Sequence, residues 1–327
     1  MRKVLKDSGG VALILTVLII SIIVTVTLEF NTAMRSELYG AVNLRDGLKL
    51  GCVARSGFDY ALAVLFEDGL NTDRPFDSLR EPWADSKALS ENSSSLFEDG
   101  GFEVQIRDMT GRIQIGALVN QKGEYNADQK DLLTRFLSLD MFGLDDEEVG
   151  NLVDAIKDWI DRDDEVTKFG AENAYYQTLE KPYLCRNAPL ESLEELLLIR
   201  GMSKELFYGT GERPGIAYYL TVCGDGKVNI NTADPVVLRS LSANLDRRTV
   251  EDMVSYRDEE DNDISQANWY KSVAGMSSEV AIDNLVTTTS HHFEIVSEAF
   301  QEAMRKRVTG VVERQEGKTK VISWKVE

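Results

Sequence analysis

Apolar and polar positions follow four patterns along the chain. From Val11 to Leu28 no residue is charged and most are apolar, a run long enough to span a bilayer. Beyond it, Leu38, Val42, Leu48, Cys52, Phe58, Leu62, Leu65 and Phe66 recur at helical spacing, and no proline interrupts Val11 to Phe66. The pattern predicts one long helix, apolar on all sides in its first half and amphipathic in its second. Gly40, Gly47, Gly51 and Gly57 weaken that helix, so packing must hold it or it must bend.

The second pattern, Asn71 to Asp99, is rich in Asp, Ser, Pro and Asn and reads as loop. Strict alternation follows. In FEVQIRDMTGRIQIGAL the apolar positions are Phe102, Val104, Ile106, Ile113 and Ile115, and Thr110-Gly111 marks a turn, so a β-hairpin is expected. HFEIVSEAF, KRVTGVVER and KTKVISWKV alternate in the same way near the C-terminus and predict three more strands, the last turn falling at Gln315-Glu316-Gly317. The fourth pattern, over 121–290, is helical. Ser192 and Glu195 stand at capping-box spacing. Asp234-Pro235 is an N-cap followed by proline at the first helical position. The fold class is therefore α+β: a long N-terminal helix on a small antiparallel sheet, with an all-α domain inserted in the sheet.

Composition narrows the function. A chain of 327 residues with 43% hydrophobic residues and six prolines can bury a real core. A net charge of -19 repels phosphate and argues against nucleic acid as a partner of the body. Three cysteines are too few for a disulfide framework. The two histidines, His291 and His292, are adjacent, so in a strand they point to opposite faces. They complete no readable catalytic arrangement, and the chain is not expected to be an enzyme.

Arg2, Lys3 and Lys6 precede Gly9 and Gly10, and the apolar run starts at Val11. Positive charge on this side keeps the stub cytoplasmic. No small-x-small cleavage site lies on the far side, where Thr25, Thr27, Glu29 and Phe30 follow. A basic leader ending in glycine, then an apolar helix running on into a soluble body, resembles a type IV prepilin. The stretches DWIDRDDEVTKFGAENAYY, NAPLESLEELLLIRGM and VNINTADPVVLRSL extend the resemblance to the K-type minor pseudopilins of the type II secretion system.

That resemblance implies a type IV pilin-like fold with a leader over 1–10 and a long helix over 11–66. The sheet would come from 67–120 and 291–327 and the insert from 121–290. It implies cleavage by a prepilin peptidase between Gly10 and Val11, with Gly9 as the alternative, and methylation of the new N-terminus. The expected place is the bacterial inner membrane, crossed once, with the body in the periplasm. The expected partners are the I- and J-type minor pseudopilins and the inner-membrane secretion platform. Most pilin-like proteins carry Glu at the fifth mature position, whereas this chain has Leu15 there and no acid between Val11 and Leu28. A subunit with no neighbour above it would leave that charge unpaired in lipid, so the omission suits a tip or initiating subunit.

The best candidate for site chemistry is DWIDRDDEVTKFGAE. Leu152, Val153, Ile156, Trp159 and Ile160 form the apolar stripe of a helix that ends in Asp161, Asp163, Asp164 and Glu165, with Glu172 beyond. Asp161, Asp163, Glu165 and Glu172 have the spacing of an EF-hand ligand ladder, but Val166 stands where that loop needs glycine. Hard oxygen ligands without Cys or His favour Ca²⁺, and the K-type resemblance also implies calcium. A solvated acidic turn is the plain alternative. Cys185 and Cys223 flank the first helical pair, and a disulfide is open to them in an oxidising compartment. VNINTADPVVLRSL also resembles the helix-hairpin-helix modules of competence-type DNA-binding proteins, the alternative function.

Overall fold

The computed structural model describes residues 8–71, 74–211, 213–315 and 317–327. The basic residues Arg2, Lys3 and Lys6 and the turn residue Glu316 lie outside the described residues.

Helix α1 (Ser8–Gly69) runs unbroken through all four glycines. Side chains from Val11 to Leu48 are largely exposed, and burial begins at Leu50. From there Val53, Ala54, Phe58, Ala61 and Leu65 form the face that packs on the sheet. Gly57 is the glycine that packing demands, because a Cβ there would strike Ser297 and the Phe102 ring. The short helix α2 (Ser86–Ser90), N-capped by Asp85, follows the loop.

Strand β1 (Gly101–Asp108) does not form the expected hairpin. The chain turns at Thr110-Gly111, but β2 (Ile113–Gln114) pairs in parallel with β5 (Leu220–Thr221), and 115–118 is a 3-10 turn. The alternation at Ile113 and Ile115 serves a different partner, which periodicity cannot reveal.

The insert therefore begins directly after β1. It holds α3 (Ala127–Leu137), α4 (Asp146–Ile160), α5 (Asn173–Tyr176), α6 (Lys204–Tyr208), α7 (Pro235–Ser240) and α8 (Arg247–Asp258). It also holds β3 (Gly209–Thr210) paired with β4 (Arg213–Pro214), and β6 (Val228–Asn229) paired with β7 (Val286–Thr287). The insert is thus mainly helical rather than all-α. Its core gathers Leu132, Phe136, Leu152, Ile156, Trp159, Leu238 and Met253, apart from the core beneath α1.

The chain then returns as β8 (His292–Gln301), β9 (Met304–Gln315) and β10 (Lys318–Val326), as the alternation predicts. The sheet order is β1-β8-β9-β10, antiparallel throughout. Gly101 faces Phe300 and Asp108 faces Phe293, so the first strand is held by one from the far end of the body. Phe293, Ile295 and Ala299 point to α1.

Polar bonds buried between the two cores fasten insert to sheet. The Asn229 amide donates to the Asp77 carbonyl (3.2 Å) and to Ser290 Oγ (2.7 Å). Asn231 donates to the same carbonyl at 3.2 Å. Asp108 Oδ2 accepts from Ser290 Oγ and Thr232 Oγ1, both at 2.5 Å. Asn229, Asn231 and Thr232 come from VNINTADP, whose polar side chains attach the insert to the loop before α2 and to the ends of β1 and β8.

Candidate functional site

Two regions carry functional chemistry: the exposed part of α1 and the acidic turn after α4. On α1 the apolar run is helical and its most apolar stretch is fully exposed, as a single membrane-spanning segment requires. The hydroxyls of Thr16, Thr25, Thr27 and Thr32 each donate to the carbonyl four residues earlier, at 2.7 to 2.9 Å. In lipid such bonds give each of these hydroxyl hydrogens a partner. Leu15 lies within this apolar stretch, and Glu29 is the first acid beyond it.

The acidic turn is built by α4. Asp145 and Glu148 form a capping box at its start, with bonds of 2.8 and 3.0 Å. Leu152, Val153, Ile156, Trp159 and Ile160 are buried, as the stripe predicts. Asp154, Asp158 and Asp161 are buried as well. Tyr125 donates to Asp154 at 2.5 Å, and the Thr167 N–H donates to both oxygens of Asp158 at 3.1 Å. Lys157 pairs with Asp161 Oδ2 and donates to Thr167 Oγ1 at 2.8 Å. Gly170 lets the chain close over this face, because any Cβ there would strike the Asp158 carboxylate.

Of the five expected ligands, Asp161 and Glu172 are buried, whereas Asp163, Asp164 and Glu165 are exposed. Asp163 Oδ1 accepts the Glu165 N–H at 2.9 Å. Asp164 accepts from Asn173 at 2.6 Å and Asn187 at 3.1 Å. Glu165 brings no side-chain bond into the cluster. The EF-hand spacing is therefore not an EF-hand: Val166 is exposed, and a single turn of helix, α5, follows Glu172.

Charge is unbalanced here. Asp161 Oδ1 and both carboxylate oxygens of Glu172 are buried without a hydrogen-bond partner. Burial, then the negative charges of Asp158, Asp161 and Asp164, push Glu172 up to about 7. Burial also raises Asp158 and Asp161. Orphaned oxygens of this kind are costly unless a cation meets them, and an all-oxygen donor set fits a hard divalent ion. The carboxylates do not already converge on one point. Among the described residues the acidic trio within 4.8 Å of one another is Asp68, Asp77 and Glu81, and Arg314 is paired with two of these.

Sequence reasoning missed Asp158. The signal was present, because Asp154, Asp158 and Asp161 recur at i, i+4 and i+7 and so share one face of α4. Cys185, Cys223 and Cys52 are all free in this structure, where the disulfide open to Cys185 and Cys223 is not formed. Instead the Cys185 thiol lies 3.5 Å from the Asp158 carbonyl, and burial with the nearby Glu172 charge pushes it up to about 12. The DNA-binding alternative finds no support. The tip of its hairpin carries Asp246, which caps α8, and Arg247 of the basic pair is held by Glu251 at 2.9 Å.

Comparison with known proteins gives this arrangement its family. Models of type II secretion system protein K match residues 111–209 and 228–292. Protein K of Aeromonas hydrophila is 30% identical over 239 residues, covering 70% of this chain and 69% of the relative. Protein K of Pseudomonas aeruginosa is 26% identical over 325 residues, covering 97% of this chain and 92% of the relative. Among solved structures, the GspK-GspI-GspJ complex of the enterotoxigenic Escherichia coli type 2 secretion system matches with a TM-score of 0.69 at 16% identity, over 88% of this chain and 99% of that one. The exposed apolar helix, the sheet split by a mainly helical insert and the extent of the sequence match lead to one conclusion: this chain belongs to the type II secretion system protein K family and is a minor pseudopilin.

Proposed function

We propose that this minor pseudopilin is the non-catalytic tip or initiating subunit of a periplasmic pseudopilus that supports protein export across the outer membrane. The observation that carries the reading is Leu15. Within the apolar stretch of α1 there is no carboxylate to meet a neighbouring subunit's terminal amine. A subunit at the end of an assembly has no such amine to meet, and an unpaired acid in lipid costs about 3 kcal/mol or more.

In this reading a prepilin peptidase cuts between Gly10 and Val11 and the new N-terminus is methylated. The helix anchors the chain once in the bacterial inner membrane, near the secretion platform, and the body stands in the periplasm. The I- and J-type minor pseudopilins pack along α1, a pairing supported by the GspK-GspI-GspJ complex that the related structure forms. Calcium binds in the acidic turn. Asp161 and Glu172 supply the buried oxygens, Asp158 adds a third, and Asp163 or Asp164 closes the site from outside. The bound ion supplies positive charge to a cluster whose carboxylates outnumber its one paired cation, Lys157, so its role is structural.

Site-specific cross-linking along assembled pseudopili tests the position. The subunit should appear at one end only; an even distribution along the filament would defeat the reading.

A further inference from the structure

Arg112 follows the Thr110-Gly111 turn at the end of β1, and its side chain is only 14% exposed. A guanidinium so placed needs acceptors for its N–H groups. It has one loose contact, 3.7 Å from Glu294 Oε2, and among the described residues its side chain forms no hydrogen bond. Glu294 is already engaged by Arg107, which donates to it at 3.3 Å. Two guanidiniums against one carboxylate leave a surplus of one positive charge. Burial lowers Arg112, and Glu294 opposes this only in part.

Arg112 lines a cavity of about 370 Å³ between the sheet and the insert. Arg257, buried at the end of α8, lines it as well. Its Nη1 donates to the Ile230 and Ala233 carbonyls at 3.2 and 2.6 Å. Its Nε–H, 3.7 Å from Asp258, is buried without a hydrogen bond. The carboxylates of the lining are Asp108 and Asp234, and both are taken. Asp108 accepts from the Thr110 N–H, Thr232 and Ser290 at 2.5 to 2.7 Å, and Asp234 accepts the Val236 N–H at 2.8 Å. The charged groups left unmet in this cavity are thus cations. Much of the remaining wall is apolar, with Leu79, Ile106 and Val237 beside the rings of Trp83, Tyr218 and Tyr219.

We propose that this cavity binds a monocarboxylate with an apolar or aromatic body, its carboxylate held by Arg112. The planar fork of a guanidinium matches a carboxylate through paired N–H···O bonds. A surplus of one charge suits a monoanion, whereas a phosphate dianion would overcharge a lining that already holds two aspartates. The volume lies at the small end for a ligand site, so it admits one aryl or alkyl acid and not a length of chain. A free acid and the last residue of a polypeptide present the same chemistry. Either one would touch the turn after β1 and the insert together, and so brace the insert against the sheet.

Calorimetric titration of the full-length, detergent-solubilised protein tests the site. 3-Phenylpropionate stands for the free acid and acetyl-glycyl-phenylalanine for the chain terminus, with the amide of each as its uncharged control. At least one acid should bind about tenfold more tightly than its amide. Arg112→Met should bring that acid down to the level of the amide while leaving amide binding unchanged. Arg112→Lys should recover only part, because an ammonium lacks the fork. Partition into detergent is common to wild type and variants and cancels in their difference. The contrast between acid and amide is read on the wild type, so it stands whether or not a variant folds. Tighter binding of phenylpropionate supports a small acid, and tighter binding of the dipeptide supports a chain terminus. Equal binding of acids and amides would overturn the proposal in favour of a plain apolar cavity. Acid binding that survives Arg112→Met in a folded variant, or no binding by any of the four compounds, would overturn it as well.

Discussion

Arg314 of β9 and Asp77 of the loop before α2 form a buried ion pair, and the same guanidinium reaches Asp68 at the end of α1 at 2.5 Å. One side chain therefore ties sheet, loop and anchor helix together. Arg314→Met should leave two carboxylates without their cation and destabilise the protein by about 3–5 kcal/mol. Arg314→Lys should recover only part of this, since a single ammonium does not match the two-pronged contact. Urea unfolding of the detergent-solubilised protein measures both.

Glu81 stands beside this pair and, among the described residues, forms no ion pair of its own. Its Oε2 accepts from the Ser78 N–H at 2.9 Å and from Trp83 Nε1 at 2.8 Å. Burial, then the charges of Asp68 and Asp77, raise it from 4.5 to about 7. The folded state thus binds more protons than the unfolded one between these two values. Stability is favoured at the acid end of that window and declines as pH rises through it. Asp77, raised to about 6 mainly by burial, acts in the same sense. Melting temperature should fall between about pH 5 and about pH 8, and Glu81→Gln should flatten part of the fall. An identical slope in the variant would place the titration elsewhere.

Calcium should raise the melting temperature, and chelator should reverse the rise. Binding to the folded state alone stabilises by about 2.7 kcal/mol at a hundredfold excess over Kd. Asp161→Ala with Glu172→Ala should abolish the response. Glu165→Ala should retain it, because that side chain stands exposed outside the cluster. Superimposed melting curves with calcium and with chelator would reduce the turn to a closed acidic cluster.

The mature protein should begin at Val11 with a methylated amine, as read by intact-mass spectrometry. Gly10→Val should leave the leader attached by enlarging the cut site. A protein starting near Phe30 would exclude this route.

Much of the fold was legible in the sequence. The second half of α1 shows a period of 3.6 and strands β8 and β9 a period of 2, and β10 follows apart from its shift between Val321 and Ser323. The lost hairpin shows the limit, since alternation at Ile113 marks a buried face and not the strand that covers it. At the acidic turn Asp161 and Glu172 were legible as acids beside an apolar stripe. Asp158 was not, because an aspartate within a helix reads as surface until its spacing to Asp154 and Asp161 is noticed. Asn229, Asn231 and Thr232 were hidden for a related reason: their bonds join segments far apart in the chain.

The pairing of Gly101 with Phe300 has a consequence for biogenesis. As the chain emerges, α1 and β1 come first, but β1 meets its strand partner only after the whole insert has been made. The insert has its own core and can fold while it waits. The anchor helix cannot: Phe58 and Leu65 need Phe293, Ile295 and Val312 to cover them. A chain truncated just before His292 would carry the residues of the insert's core on an unfastened stalk. Completing the sheet therefore waits until β8 and β9 have been made.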